Sequence, residues 1–226
     1  EAVDWLNRAL GYDEGDCPVR AVEQCANFKV RLAGQAWTAL RAASSADEGR
    51  RAELVTRIEE AITELDLICR RAPTEERYTL LGSACKRLAW LHAAEGPRLE
   101  ALINMGNYYR LAMEAAGKGR SIYGFTNWAL AEVLAITLGG TAGTSAAILL
   151  EECEAMIEVA RAKNAANPNF WDAASEADCA LVRLIASDPR TRAARRGAED
   201  ITALYRRALA RGASPRQRAT LHEHLD

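Results

Sequence analysis

The chain lacks the long apolar runs, the period-two alternation and the frequent chain breakers on which other fold classes depend. No segment is long and apolar enough to cross a bilayer, and no signal-peptide pattern is present. Proline (6) and glycine (15) are scarce among the 226 residues, and no stretch alternates convincingly between apolar and polar residues. With 49% hydrophobic and 27% charged residues, we expect an ordered protein that buries a core without cross-links and has no membrane partner.

A strong net charge is also missing. The 29 basic and 31 acidic residues leave a formal charge of −2, which gives no general reason to expect binding to nucleic acid. Residues 190–218 are rich in arginine, but Tyr205 is the one aromatic side chain among them, so a surface for base stacking is absent there. We therefore expect no nucleic-acid partner.

The cysteines form no CxxC pair and are widely scattered. Most fall on the apolar stripe of a predicted helix, where a reduced cysteine acts as a small hydrophobic residue. We therefore expect free thiols and a cytoplasmic location. The six are Cys17, Cys25, Cys69, Cys85, Cys153 and Cys179.

Material for catalysis is thin. Of the three histidines, His222 and His224 are two residues apart and point in different directions on a helix, so a zinc site is not expected. Cys153 beside Glu154, or Cys179 beside Asp178, offers a conceivable reactive group, but a cysteine on a helix stripe is more often buried and inert. We expect no catalytic residues, no metal and no cofactor, and hence a protein that is not an enzyme.

Nearly every segment has the helical period, which predicts an all-α fold. The helices come in pairs, each pair joined by a polar or glycine-containing turn, and the aromatic residues Tyr78, Tyr123 and Trp171 recur about every 45 residues. This repetition predicts a solenoid of about four helix pairs in a single domain, 1–226. The pairs are expected at about 18–72, 75–117, 121–167 and 169–212. The final residues read as the start of another helix, so we expect the chain to be a piece of a longer protein.

The stretch TLGGTAGTSAA, from Thr137 to Ala147, resembles a phosphate-binding loop at first sight. It follows a helix rather than a strand and contains no lysine, so a P-loop is not expected. Gly139 or Gly140 fits the left-handed residue that closes a helix, and Thr144 or Ser145 fits the N-cap of the next. We interpret the stretch as the turn inside the third pair, although a helix N-terminus there could attract an anion.

Several residues resemble the tetratricopeptide repeat, whose helix pairs stack into a right-handed α-α superhelix. The repeat has a large residue, a Leu-Gly pair and a small residue in its first helix, which are matched here by Tyr78, Leu81, Gly82 and Ala89. The preceding second helix matches the small, large and terminal-proline positions of the repeat with Ala61, Leu65, Ile68 and Pro73. The order LLGSACKRLAWL, NYYRLAMEAA and IYGFTNWALAEVL is also similar to the TRAFs-binding domain of apoptosis signal-regulating kinases and to bacterial proteins that carry this region. Cys85 departs from the repeat, which usually has tyrosine there, and the pair spacing exceeds 34 residues.

The resemblance implies a concave groove lined by the first helix of each pair. The non-core positions of those helices are Asn27, Arg31, Thr79, Ser83, Lys86, Arg87, Trp128, Asp172 and Glu176. Cations on one wall and carboxylates on another would suit a peptide of mixed charge. Two residues are interpreted as structural: Asn127, bonding a neighbouring turn, and Trp171, packing the start of its helix.

We therefore expect a scaffold or regulatory domain that binds a partner protein, a peptide, or an effector domain of the same chain. The alternative is a module that senses a small molecule or nucleotide and switches a linked enzyme.

Overall fold

The structure is a computed structural model that describes residues 4–5, 8, 11, 19–43, 47–117, 121–141, 143–186 and 192–225, the last range in part for its backbone alone. Cys17, Pro18 and Ser45 lie outside the described residues. The regular elements of this part of the chain are all helices. They are α1 (Val19–Ala42), α2 (Glu48–Arg71), α3 (Glu75–Leu91), α4 (Glu95–Ala116), α5 (Ile122–Thr137), α6 (Ala146–Ala166), α7 (Phe170–Ala186), α8 (Arg192–Ala210) and α9 (Pro215–Leu225).

Contacts join helices that are neighbours in sequence: α1 with α2, α2 with α3, α3 with α4, α6 with α7, and α7 with α8. Each predicted pair range contains two helices. The all-α class and the helical-repeat arrangement are therefore confirmed. The chain divides into two compact units, residues 1–131 and 132–226, and the boundary falls within α5. None of the described helices combines the length and the apolarity that a bilayer crossing requires.

Helix ends are set by local capping. Asp47 and Thr74 begin α2 and α3 by accepting hydrogen bonds from the backbone N–H three residues on, which satisfies one of the free donors of the first turn. Helix α2 ends at Arg71, just before Pro73, because proline cannot continue the hydrogen-bond ladder.

The stretch TLGGTAGTSAA is a turn between two helices, as predicted. Of the alternatives, Gly139 takes the left-handed conformation (φ 76°) and Ser145 caps α6. The carboxylate of Glu132, only 8% exposed, accepts a hydrogen bond from the backbone N–H of Thr144, 3.2 Å away. The negative charge of the Glu132 carboxylate inside the turn would repel a bound phosphate. The stretch is therefore better explained as a structural turn than as a phosphate site.

The first unit has a core shared by α1, α2 and α3, with α4 packed against α3. Helix α1 contacts both its own partner α2 and the first helix of the next pair, α3. The buried side chains that form the core include Val30, Trp37, Leu54, Ile58, Leu65, Leu81 and Leu91. Contact between successive first helices is what stacks one pair on the next.

Close approach of α3 and α4 depends on Gly82. A Cβ atom at this position would lie 2.8 Å from two ring carbons of Tyr109, a separation too short for real atoms. Tyr109 is fully buried, so its ring cannot move aside without disturbing the core. The repeat pattern has a glycine at position 82 because the ring of Tyr109 on α4 leaves no room for a side chain there.

The second unit packs α6 against α7 and α7 against α8. Phe170, Ala177, Ile201 and Tyr205 belong to its core, and the Tyr205 hydroxyl donates to the Asp178 carboxylate at 2.7 Å. Burial is the largest cause that raises the pKa of Tyr205 well above its usual value, followed by the charge of Asp178. The phenol therefore stays protonated and ties α8 to α7.

Each of the three recurring aromatic residues contacts a buried neighbour. Trp171 packs at the start of α7, as expected: its ring meets that of the core residue Phe170 edge to face, with centroids 4.9 Å apart, although 44% of Trp171 stays exposed. Tyr123 is also 44% exposed, and its ring contacts that of the buried Tyr109. Tyr78 packs against the core of the first unit.

The expectation of free, buried thiols is confirmed for the five described cysteines, Cys25, Cys69, Cys85, Cys153 and Cys179. Burial raises the pKa of the Cys85 thiol to about 12, as expected of a cysteine that acts as a small hydrophobic residue.

We expect Gly82→Ala to lower the free energy of unfolding by about 1–3 kcal/mol, because the added methyl group overlaps the ring of Tyr109. Urea denaturation followed by circular dichroism measures the change. Gly96→Ala is the matched control, since a Cβ there meets no atom within 4 Å and alanine favours a helix. Equal destabilisation by both substitutions would contradict the close contact.

Candidate functional site

Helices α1 and α3 run parallel, and charged side chains bridge their two ends. Near the start of both helices, the Arg77 Nε donates to the Glu23 carboxylate at 2.5 Å, and this carboxylate is only 7% exposed. Near their ends, the Arg41 guanidinium lies 6.0 Å from the ring centroid of Trp90. The α1–α3 seam, which we define as the contact between these helices, is thus closed at both ends by arginine contacts.

The middle of the seam is closed by Arg87. A Cβ on Gly34 would lie 3.2 Å from the Arg87 Cδ, so the stem of this arginine runs directly over the backbone of α1. Its Nη1 donates to the Ser83 hydroxyl at 2.6 Å and to the Ser83 carbonyl at 3.1 Å. The glycine gives the stem room to lie flat, and Ser83 fixes the direction of the guanidinium.

Hydrogen bonds continue from Ser83 into the interior of the unit. Tyr109 on α4 is hydrogen-bonded to Ser83, and its hydroxyl lies 3.5 Å from that of Tyr123 on α5. The two tyrosine rings meet edge to face with centroids 6.1 Å apart. We name these four residues the Arg87 network: Arg87, Ser83, Tyr109 and Tyr123. The network connects the half-buried guanidinium of Arg87 to the exposed phenol of Tyr123 through the fully buried phenol of Tyr109.

The protonation of Tyr109 follows from its position. Burial is the largest cause that raises the pKa of Tyr109 well above its usual value, and the neighbouring Tyr123 raises it further. Ser83 and Arg87 act in the opposite direction but do not offset the burial. The phenol therefore remains a neutral group that both donates and accepts hydrogen bonds.

Six of the nine predicted groove residues lie on these two helices. Each is half-buried, so its side chain presents part of its surface to solvent. They are Asn27, Arg31, Thr79, Ser83, Lys86 and Arg87. Helices α1 and α3 pack directly against each other. Six of the side chains predicted from the sequence to line the groove therefore lie on two adjoining helices.

Trp128 requires a correction. It was predicted to line the groove, but it is 7% exposed and its ring lies 5.6 Å from that of Phe125. Helix α5 is apolar on nearly every side, and its residues 124–133 are all buried. A periodic pattern cannot separate a groove face from a core face on such a helix.

Asp172 and Glu176 lie in the second unit, where each has a partner. The Asp172 carboxylate accepts from the Asn169 amide at 2.6 Å, and its backbone N–H donates to the same side chain at 2.9 Å. Glu176 accepts from Arg161 on α6 at 2.8 Å. Asp172 thus belongs to the helix start and Glu176 to the contact of α6 with α7, while the proposed bipolar groove stays a prediction.

Asn127 is confirmed as structural. It is 1% exposed, and its Nδ2 donates to the backbone carbonyl of Tyr123 at 2.9 Å, one turn earlier in the same helix. Its Oδ1 is buried and has no hydrogen-bond partner among the described residues. Such an atom costs free energy where it stays unsatisfied, so it marks a place where a further polar group would be favourable.

Sequence reasoning missed Gly34 and Tyr109. A glycine in the middle of an otherwise helical stretch is a signal for a close backbone approach, and this signal was available at Gly34. For Tyr109 no comparable signal exists, because its partners lie on two other helices, α3 and α5. Among the described residues, no three histidine, cysteine, aspartate or glutamate side chains form a group able to hold a metal.

Paired helices, stacked first helices and a half-buried polar face define a helical-repeat module. A family model described as Tetratricopeptide Repeats-Sensor (TPR-S) matches residues 1–134, more than half of the chain, and the chain belongs to this family. No curated protein and no solved structure matches the chain.

We expect Tyr109→Phe to lower the free energy of unfolding at pH 7 by about 1 kcal/mol, because it removes a buried hydroxyl and its hydrogen bonds. The native state holds the Tyr109 proton more tightly than the unfolded state, whose tyrosines titrate near pH 10. This contribution is therefore present below about pH 10 and falls as the pH rises beyond it. Denaturation series at several alkaline pH values should show a shallower fall in the variant, and parallel curves would exclude this role.

Proposed function

We propose that the chain is a non-enzymatic interaction and regulatory module that binds a protein, a peptide, or an effector domain of the same chain along the α1–α3 seam. One observation carries the proposal: six polar, half-buried side chains lie on two directly packed helices. Three of them are the cations Arg31, Lys86 and Arg87, and none is a carboxylate. Membership of a tetratricopeptide family supports the same reading.

The sign of the charge favours an acidic partner segment. Arginine presents several donors in a fixed fork that pairs well with a carboxylate, and the hydrogen bonds to Ser83 direct the fork of Arg87 before any partner arrives. A preformed donor loses less entropy on binding than a mobile one. The neutral residues Asn27 and Thr79 can bond the backbone of an extended peptide.

The resemblance of residues 75–225 to the TRAFs-binding domain of apoptosis signal-regulating kinases adds a mechanism. In this proposal the module positions or restrains an effector, as that resemblance implies, and does so in the cytoplasm without a cofactor, a metal or nucleic acid. Binding at the seam of the first two pairs would then control where the effector lies.

The test reverses two charges on α3. We expect Lys86→Glu combined with Arg87→Glu to weaken partner binding at least tenfold, because two attractions become repulsions. The immobilised protein captures partners from a lysate of its own organism. The enriched partner is purified and titrated against both forms by calorimetry.

Arg57→Glu is the control, since Arg57 is exposed on α2, away from the seam, and also carries a charge reversal. Because the stem of Arg87 packs over Gly34, the single variant Lys86→Glu separates lost binding from lost stability, with circular dichroism as the check. Unchanged affinity in folded Lys86→Glu and double variants would show that the seam is not the binding surface.

A ligand-sensing role is the second candidate. It is favoured by the sensor description of the family and by the buried Oδ1 of Asn127, one turn from the Tyr123 end of the Arg87 network. In this alternative a small molecule or nucleotide supplies the missing polar partner and its binding switches a linked enzyme.

Thermal shift separates this role from a scaffold. A ligand that binds only the folded state stabilises it by about 2.7 kcal/mol at a hundred times its dissociation constant, so the melting temperature should rise by several degrees. The panel contains nucleotides and common metabolites, and the matched variant is Asn127→Leu, which removes the orphan oxygen. A panel without any shift, or shifts that the variant keeps in full, would reject sensing at Asn127.

A further inference from the structure

Two buried thiols meet between α6 and α7. Cys153 and Cys179 are both fully buried on facing sides of these packed helices, and the Cys179 thiol is hydrogen-bonded to the Cys153 sulfur. Two ion pairs fix how these helices face each other, Arg161 with Glu176 at 2.8 Å and Arg183 with Glu154 at 3.0 Å. This register places the two buried thiols opposite one another, as a disulfide requires. The other described cysteines, Cys25, Cys69 and Cys85, belong to the first unit.

The surroundings distinguish the two sulfur atoms. The hydrogen bond from Cys179 is the largest cause that lowers the pKa of Cys153, and the nearby Arg183 lowers it further, although burial opposes both. Cys179 has a strongly raised pKa, because it is the donor and is also buried. Cys153 is therefore the nucleophile of the pair, since the thiolate is the reactive form, and Cys179 is its neutral partner.

A surface depression of about 420 Å³ lies beside the pair. Its lining includes Glu154, next to Cys153 in sequence, and Arg183, one turn after Cys179. These two side chains form an ion pair at 3.0 Å, and both are largely exposed. Arg183 thus lines the depression and also lowers the pKa of the buried Cys153 thiol, so the pair lies close to the protein surface.

We propose that Cys153 and Cys179 form a reversible disulfide when the protein meets a small hydroperoxide such as hydrogen peroxide. The Cys153 thiolate attacks one peroxide oxygen, the O–O bond breaks, and the departing hydroxide takes a proton to become water. The resulting sulfenic acid is attacked by Cys179 as it loses its proton. The S–O bond breaks, a second water leaves, and the S–S bond forms. Two thiols lose two electrons and one peroxide gains them.

The disulfide would join α6 to α7 covalently inside the second unit. A cross-link that limits the unfolded chain stabilises the folded state, so the melting temperature should rise by several degrees on oxidation and fall back on reduction. The inference does not depend on the proposed function, because all the residues involved lie outside the α1–α3 seam.

The test exposes the purified protein to hydrogen peroxide, quenches with acid, alkylates the unfolded chain and maps its peptides by mass spectrometry. We expect a loss of two hydrogen atoms and one linked peptide pair containing Cys153 and Cys179. Cys25, Cys69 and Cys85 should be recovered as alkylated thiols, and dithiothreitol should reverse the link. Recovery of both Cys153 and Cys179 as free thiols, or Cys153 oxidised beyond sulfenic acid without a link, would overturn the proposal.

Three variants fix the roles. Cys179→Ala should abolish the link and leave a sulfenic acid at Cys153 that dimedone labels, whereas Cys85→Ala, the matched buried control, should form the link at the normal rate. Arg183→Ala should slow the link several-fold, because the cation no longer favours the thiolate. Circular dichroism verifies that each variant is folded, and an unaltered rate in folded Arg183→Ala would contradict activation by Arg183.

Discussion

The first unit depends on how closely the ring of Tyr109 lies to the backbone of α3. The ring occupies the volume that any side chain at Gly82 would fill, so α4 sits nearer to α3 than two ordinary helix surfaces allow. This position also brings the phenol hydroxyl to Ser83, which holds Arg87. One missing Cβ atom therefore sets both the packing of a helix pair and the position of a charged group on its surface.

The first unit uses two kinds of helix contact. The core shared by α1, α2 and α3 is apolar, whereas the α1–α3 seam is bridged by Arg77, Arg87 and Arg41. Apolar packing is dense and tolerates little change of shape. Long arginine stems lie along the packed surface while their charged heads reach its edge, so the seam holds the first helices together and still presents polar groups to a partner.

The helical period of the apolar residues was sufficient to predict the all-α fold. The turn at Gly139 could also be predicted, because capping and chain breaking depend on residues close in sequence. Periodicity failed at Trp128, which was expected in the groove and is buried, because periodicity does not show which face of an apolar helix is covered. For the candidate site, it found six side chains on α1 and α3 but not the glycine and the tyrosine that support them. Those two residues act through contacts between segments, which one sequence does not display.

Gly34 has a consequence beyond the packing of α1. A methyl group there would meet the Arg87 Cδ at 3.2 Å, so the stem would have to rise by a few tenths of an ångström. The distance between the guanidinium and the helix surface is therefore adjustable by single substitutions at a position that never touches a partner. Within a family of related chains, such a site allows the reach of a binding cation to be tuned while its identity is kept.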